Sequence, residues 1–412
     1  MRIATFNVNG LRSIKDYYKI SSGWTFDQFL DSFDADIICF QEIKVNEANK
    51  LGREFVLPAK YTAYYAFQRG AKKIGYSGVG TLCREDWRPI EYEDGFTGYY
   101  EDHSIGAREL VNQDVGATKL LDGEGRCIIS NHGLFVLFNV YFPNDSGPER
   151  QEYRTNFYSG VFERCRMLLE QGRSLLIAGD FNVTWHPMDH CDYAGAIKRL
   201  VGRLGMERMQ SIVNSIAIAD NAELDLDLDS DIEMVRYFYN DKPLRRWFYQ
   251  LLHTSILHEK FGLRDAFRDL HSDAFEQYTC WNTMVGARGT NHGTRIDSVL
   301  LAGPLFYTKD KILTAGKVWS EFMGSDHCPV IIDLNLEIDR FMEKDIPRVM
   351  PRNLTTHHKQ RRLSDFFSKA SSKPVTFDQV NQSPTVTENV ASKKARSTKL
   401  SDFPLINCHD KY

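Results

Sequence analysis

The chain has 412 residues, 42% hydrophobic and 26% charged, a composition ordinary for a globular protein and sufficient for one large domain with a tail or for two domains. Its 8 cysteines include no Cys-x-x-Cys pair and no Cys/His finger spacing, so neither a zinc finger nor a disulfide framework is indicated. No apolar run is long enough for a membrane span, and the opening residues read as a strand and not as a signal peptide, so the sequence predicts an intracellular protein. Net charge is −4 and unevenly spread, with 12 Lys/Arg against 5 Asp/Glu from residue 346 onward. The tail is therefore basic and the body acidic, which argues against a nonspecific DNA-coating protein.

In chain order, residues 2–6 alternate as a strand and run into Asn7-Val8-Asn9-Gly10. A helix is expected over 14–33, broken near Gly23, followed by a buried strand over 36–40 that ends in Gln41-Glu42-Ile43-Lys44. Gly75 to Cys83 reads as a turn into a strand, and 90–124 as polar surface loops. A hairpin over 127–141 ends in Tyr141-Phe142-Pro143-Asn144. A helix over 147–171 leads to an all-apolar strand over 174–179, which ends in Asp180-Phe181-Asn182. Residues 193–260 read as mainly helical. They include an acidic run over 223–231 that lacks the glycine and final glutamate of a calcium loop. The stripe Trp247, Phe248, Leu251, Leu252 on a helix over 243–258 reads as core. Strands follow over 295–301 and 311–319, and Gly324-Ser325-Asp326-His327 turns into a last strand over 330–334. From about residue 346 the periodicity stops, and the Ser, Thr, Asn, Lys and Pro content predicts a disordered tail over 346–412 behind a domain spanning 1–345.

Nearly every core strand thus ends in a carboxylate, an amide or an imidazole: Asn7 and Asn9; Glu42 and Lys44; Tyr141 and Asn144; Asp180 and Asn182; Asp297; Asp326 and His327. Strands do not need such endings for stability, and six of them at one edge of two packed sheets make one site. Oxygen donors without Cys or His pairs suit a hard cation such as Mg²⁺. Asp and His beside it suit attack of water on a phosphate ester. No Walker loop, kinase motif set or nucleophile elbow is present, which sets aside nucleotide-triphosphate transfer and serine hydrolysis.

These motifs, together with Gly75-Tyr76-Ser77-Gly78, Arg295-Ile296-Asp297 and Gly324-Ser325-Asp326-His327-Cys328-Pro329, resemble those of the exonuclease III family. Its members are the class II abasic-site endonucleases of the endonuclease/exonuclease/phosphatase superfamily, and the match runs over residues 1–338 in the family's order. The resemblance implies an α/β fold, a DNase I-like four-layer sandwich of two packed mixed sheets flanked by helices. It implies Mg²⁺ or Mn²⁺ held by Glu42 with Asn9 and Asp326, and Lys44 beside Glu42 or the phosphate. Asp180 would position and deprotonate the attacking water, in preference to His327, with Asn182 and Asn7 fixing it. Asn144 and Tyr141 would donate to the scissile phosphate, and Asp297 would hold His327 in its charged form. Tyr76, Trp281, Thr294 and Arg150 would lie along the DNA.

Departures refine the expectation. Cys280 and Thr294 stand where efficient abasic endonucleases of the family carry aromatic pocket residues, and Gly147 where one carries a DNA-inserting arginine, with Arg150 nearby. These departures resemble the AP endonuclease 2 branch, which implies 3′→5′ exonuclease and 3′-end cleaning in excess of abasic incision. In the tail, Gln360-x-x-Leu363-x-x-Phe366-Phe367 is similar to a sliding-clamp (PCNA) binding box, whose short 3₁₀ turn would put Leu363, Phe366 and Phe367 on one face. Thr398 to Pro404 echoes it, and Lys393-Lys394-Ala395-Arg396 offers a nuclear signal. The expectation is a nuclear, monomeric, metal-dependent DNA repair phosphodiesterase. A phosphatase or deadenylase of the same superfamily and a catalytically weak clamp- or DNA-binding scaffold stand as alternatives.

Overall fold

The computed structural model describes residues 1–20, 22–45, 51–69, 75–100, 105, 115–218, 229–307 and 312–337. The clamp-like box, the basic cluster at 393–396, the tail they belong to and most of the acidic run over 223–231 lie outside the described residues.

Fourteen strands are found among the described residues. The first four are β1 (Arg2–Asn7), β2 (Ile37–Gln41), β3 (Tyr61–Ala66) and β4 (Val79–Arg84). Next come β5 (Glu91–Asp94), β6 (Cys127–Asn131), β7 (Val136–Tyr141), β8 (Leu175–Asp180) and β9 (Arg264–Asp265). The last are β10 (Cys280–Trp281), β11 (Gly293–Thr294), β12 (Asp297–Ala302), β13 (Leu313–Val318) and β14 (Val330–Leu334). One six-stranded sheet runs β13-β14-β1-β2-β4-β3, the other β5-β6-β7-β8-β12-β9, and β10-β11 make a short ribbon. Each large sheet is mixed: β1 and β2 are parallel in the first, β7 and β8 in the second, and the remaining pairs are antiparallel.

Both faces of the central strands are buried, so their sequences are continuously apolar and successive residues serve different layers. On β8, Leu176 and Ala178 join Ile3, Ile37, Leu137, Val299 and Ile332 in the core between the sheets. Leu175 and Ile177 face outward onto helices Gln151–Glu170 and Pro243–His253. On β1, Ile3 points between the sheets, while Ala4 and Phe6 pack against helices Leu11–Tyr17 and Phe26–Asp31. The result is the expected four layers. Helices Cys191–Leu204, Met206–Ile218 and Ser230–Asp241 carry a separate apolar cluster with Tyr249.

The inner face also carries a polar lock. Gln41 Nε2 donates to Asn139 Oδ1 at 2.8 Å and to Thr5 Oγ1 at 3.0 Å, and Asn139 Nδ2 donates to Gly80 O at 2.9 Å. Fully satisfied buried amides of this kind specify one register of one sheet against the other. Close approach of β7 and β8 needs Gly179, where a Cβ would stand 1.9 Å from Val140 O.

Several elements differ from the sequence expectations. The expected break in the helix over 14–33 is present but opens before Gly23, at Lys19 with φ 51°, and the first of the two helices starts earlier, at Leu11. The helix over 243–258 breaks at Ser255, which caps Ile256–Glu259. Strand β3 was not anticipated. The stretch expected to be loops holds β5 and the helix Val115–Asp122.

A buried ion network lies beside the start of β12, next to the edge where the polar strand ends meet. Asp189 bridges Arg295 at 2.8 Å and Arg268, and Arg295 also meets Asp265 at 2.8 Å. Burial alone would raise the Asp189 carboxyl, but the Arg268 and Arg295 guanidiniums hold it well below its ordinary value. A depressed carboxyl stabilises the fold above the unfolded value of about 3.9 and loses that contribution as pH falls through the folded value. Asp189→Asn is expected to cost about 3 kcal/mol at neutral pH, because Arg268 loses its buried carboxylate and the buried Arg295 keeps only Asp265. In thermal melts the gap between parent and variant should close as the solution is acidified; equal melting temperatures at pH 7 would remove the network from the account.

Candidate active site

Strand direction explains why the polar endings meet. Strands β1, β2, β7 and β8 finish at the same edge, and the antiparallel β12 and β14 start there. Register places Asn7 opposite Gln41, Tyr141 opposite Asp180, and Asp180 opposite Asp297.

Asp180 is 1% exposed. Its Oδ1 accepts the Asn182 backbone N–H at 2.9 Å, and its Oδ2 accepts Asn7 Nδ2 at 2.8 Å and Asn182 Nδ2 at 3.3 Å. Asn7 Nδ2 also donates to Glu42 Oε1 at 2.9 Å, so one buried amide bridges the two acids. Asn7 Oδ1 accepts the Asn9 N–H at 3.0 Å. Across the site, His327 Nδ1 meets Asp297 Oδ2 at 2.8 Å, both buried. One ligand atom from each of Glu42, Asp180 and His327 lies within 4.8 Å of the others. Asn9, Glu42, Lys44 and Asn182 all take positive φ, 48°, 50°, 55° and 49°. For Glu42 and Lys44 this is a strained conformation that the surrounding turn imposes.

Charge is arranged unequally. Burial and the neighbouring Asp297 push the Asp180 carboxyl up to about 8, against the pull of His327. Burial would likewise raise Glu42, but the Asn7 amide, the Lys44 ammonium and His327 hold it below its ordinary value. Burial would lower His327, but Asp297 and the adjacent Cys280 raise it well above the usual imidazole range. Tyr141 is raised by burial and by the Glu42 charge, and so stays a neutral phenol donor. The arrangement therefore sets a buried carboxyl of raised proton affinity opposite an imidazole held toward its charged form.

Glu42, Asn9 and Asp326 present only oxygen donors, which suits a hard cation. The Lys44 ammonium sits 3.0 Å from Glu42 Oε2 and contacts Asn9 Oδ1, so these two oxygens already converge on positive charge. Two oxygens held on one cation suit a divalent metal ion; the Asp326 carboxylate accepts from Ser325 Oγ at 3.2 Å.

Not every sequence candidate meets the cluster directly. Asn144 lies exposed on the loop after β7. Arg150 turns its guanidinium onto Glu124 at 2.8 Å and over the Tyr153 ring at 4.1 Å. Tyr76 hydrogen-bonds the same Glu124. Trp281 is 3% exposed, with its N–H on Asn291 Oδ1 at 3.1 Å and Arg288 over its face at 4.5 Å, so it backs a wall. Cys280 and Thr294 face each other across β10 and β11, and Cys280 bridges to His327.

Three features lie outside the residues predicted for the site. Arg126, buried, lies over the Tyr141 ring at 4.5 Å, donates to Tyr141 O at 3.2 Å and is paired with Glu124 at 2.6 Å. Ser325 Oγ donates to Asn7 O at 2.8 Å and accepts the His327 N–H at 3.2 Å, tying the last turn to the first strand. Met284 and Val285, 94% and 75% exposed, tip the loop that follows β10.

The chain belongs to the Endonuclease/Exonuclease/phosphatase family, whose sequence pattern matches residues 4–327. Among curated relatives it is similar to the Schizosaccharomyces pombe DNA-(apurinic or apyrimidinic site) endonuclease 2, 28% identical over 95% of this chain and 70% of that protein. It is 30% identical to the Xenopus laevis protein of the same name over 80% of this chain, spanning 59% of the frog protein's length. Among solved structures it resembles the Xenopus laevis APE2 catalytic domain, with TM-score 0.60 and 28% identity over 81% of this chain and 91% of that one.

Proposed function

We propose that this chain is a divalent-metal-dependent DNA repair phosphodiesterase, with Mg²⁺ or Mn²⁺ as the ion, and that its 3′→5′ exonuclease and 3′-end cleaning exceed its incision 5′ to abasic sites. The observation that carries the reading is the hydrogen-bonded run Asp180–Asn7–Glu42 facing the Asp297–His327 pair across one edge of two sheets. The names of the frog and yeast relatives support DNA as substrate.

In this reading Asp180 orients the attacking water and takes its proton, held in place by Asn7 and Asn182. His327, kept charged by Asp297, donates to the phosphate oxygens as negative charge builds there, and the Tyr141 phenol adds a second donor. Asn144, exposed at the rim, reaches the phosphate once DNA is bound. Glu42, Asn9 and Asp326 hold the cation, which when bound supplies positive charge against the phosphate. Tyr76, Arg150, Thr294 and the wall backed by Trp281 flank the DNA, and Met284 and Val285 form an apolar tip of the kind that wedges between base steps. The tail recruits a sliding clamp through Gln360, Leu363, Phe366 and Phe367, and the enzyme works as a monomer in the nucleus.

The test compares initial rates on a duplex with a recessed 3′ end and on one with an internal abasic site, with and without EDTA. Faster resection is expected, abolished by chelation; equal rates with EDTA would end the metal-dependent reading. Thr294→Trp adds an aromatic wall beside Cys280. It is expected to improve abasic incision relative to resection by about 1 kcal/mol, roughly fivefold. An unchanged ratio would mean that the position does not face the abasic sugar.

A further inference from the structure

We propose that His190, Cys191, Asp192 and His292 form a second cation site, of the class that takes zinc, on the wall beside the reaction centre. Nothing in it depends on the phosphodiesterase reading. The first three residues lie where the chain leaving Asp180 turns into helix Cys191–Leu204, and the fourth precedes β11. A backbone bridge between His190 and Thr294 holds the two segments together.

The donors are mixed nitrogen, sulfur and oxygen, the set of a tetrahedral zinc site and unlike the all-oxygen set at Glu42. Ligand atoms of His190, Cys191 and Asp192 lie within 4.8 Å of one another. Asp192 Oδ2 is 3.8 Å from His190 Nδ1, while Asp192 Oδ1 is 3.7 Å from Cys191 Sγ and 3.2 Å from His292 Nε2. Bond lengths of about 2.0–2.3 Å place tetrahedral donors about 3.2–3.7 Å apart, so the cluster is close to the spacing a cation needs. A thiolate and a carboxylate cancel the charge of a divalent ion, and two neutral imidazoles complete the shell.

The Arg245 guanidinium, Asp241 and His292 also face the His190 ring. The Nδ1 lone pair takes only the Asp192 N–H, at 3.3 Å, a bond the ion would replace. Asp192 and His292 are 57% and 61% exposed on their side chains, which gives an ion its way in. Binding expels the Cys191 thiol proton and straps the loop before β11 to the helix start. That would fix Thr294 and, through β10, Cys280 beside His327.

The experiment uses the full chain, freed of metal with EDTA, dialysed, and titrated with Co²⁺ in excess Mg²⁺. One equivalent should bind with tetrahedral d–d bands and a thiolate-to-cobalt charge-transfer band, and Zn²⁺ should displace it. Cys191→Ser should abolish the charge-transfer band, and His292→Ala should weaken cobalt binding at least about tenfold. His292 is exposed, so its variant reports binding without a folding defect. Cys280→Ser should leave the band intact. Absence of a charge-transfer band, its survival in Cys191→Ser, its loss in Cys280→Ser, or unchanged affinity in His292→Ala would each overturn the proposal.

Discussion

Asp180→Asn should lower the rate of DNA cleavage by about 10³–10⁴-fold, the upper range for removal of a positioned base. The substitution removes the proton acceptor, and it also breaks the hydrogen bonding that orients it. Asp180 Oδ2 accepts from both Asn7 Nδ2 and Asn182 Nδ2. An amide NH₂ there would face two donors, and the reverse orientation would set it against the Asn182 backbone N–H on Oδ1. DNA binding should hold or tighten, because a negative charge leaves the phosphate's path. Burial and Asp297, opposite it in the ladder, disfavour the Asp180 charge, which offsets part of the cost of that donor clash. Single-turnover rates with saturating enzyme separate chemistry from binding. A variant within tenfold of the parent would remove Asp180 from the mechanism.

His327→Gln should cost about 10²–10³-fold in kcat, the loss of one preorganised donor to a developing oxyanion, with KM little changed. Because the change also leaves Asp297 without its buried partner, a second variant separates stability from chemistry. Asp297→Asn keeps the ring in place while removing the carboxylate that counters its burial. His327 is raised in the parent, so its charged form persists to higher pH. In Asp297→Asn that form should be lost at lower pH, and the alkaline fall of the pH–rate profile should move down. Superimposable profiles would show that Asp297 merely orients the ring.

Much of this site is legible in sequence because polar residues at the ends of apolar strands have no local reason to be there. Asn7, Glu42, Asp180 and His327 stand out against period-two runs, and parallel strands bring their ends to one edge. What escaped is held by partners remote in sequence. Strand β5 looks like a solvated acidic loop, yet Glu93 is buried against Arg164 at 3.3 Å and Asp94 pairs with Arg69. Arg126 and Glu124 resemble surface charge in a glycine turn. Only the packed sheet shows the guanidinium beneath Tyr141, with Glu124 also holding Arg150. Pairing between distant charges leaves no periodic trace, so no reading of local pattern finds it.

In the first sheet, β1 lies between β2 and β14, pairing residue by residue from Arg2 with Asp333 to Thr5 with Val330. The first strand of this domain is therefore without one of its neighbours until almost the whole domain has been made. Contacts of such long sequence separation form late and slowly. Until then one flank of β1 is an open template for other chains, so the nascent protein should depend on chaperones more than its final core suggests. This pairing and the Ser325 hydrogen bond to Asn7 O also bring the His327 turn to the end of β1. A ribosome-bound intermediate thus carries half a reaction centre and cannot cut, and the nuclease comes into being only as its synthesis nears the end of the domain.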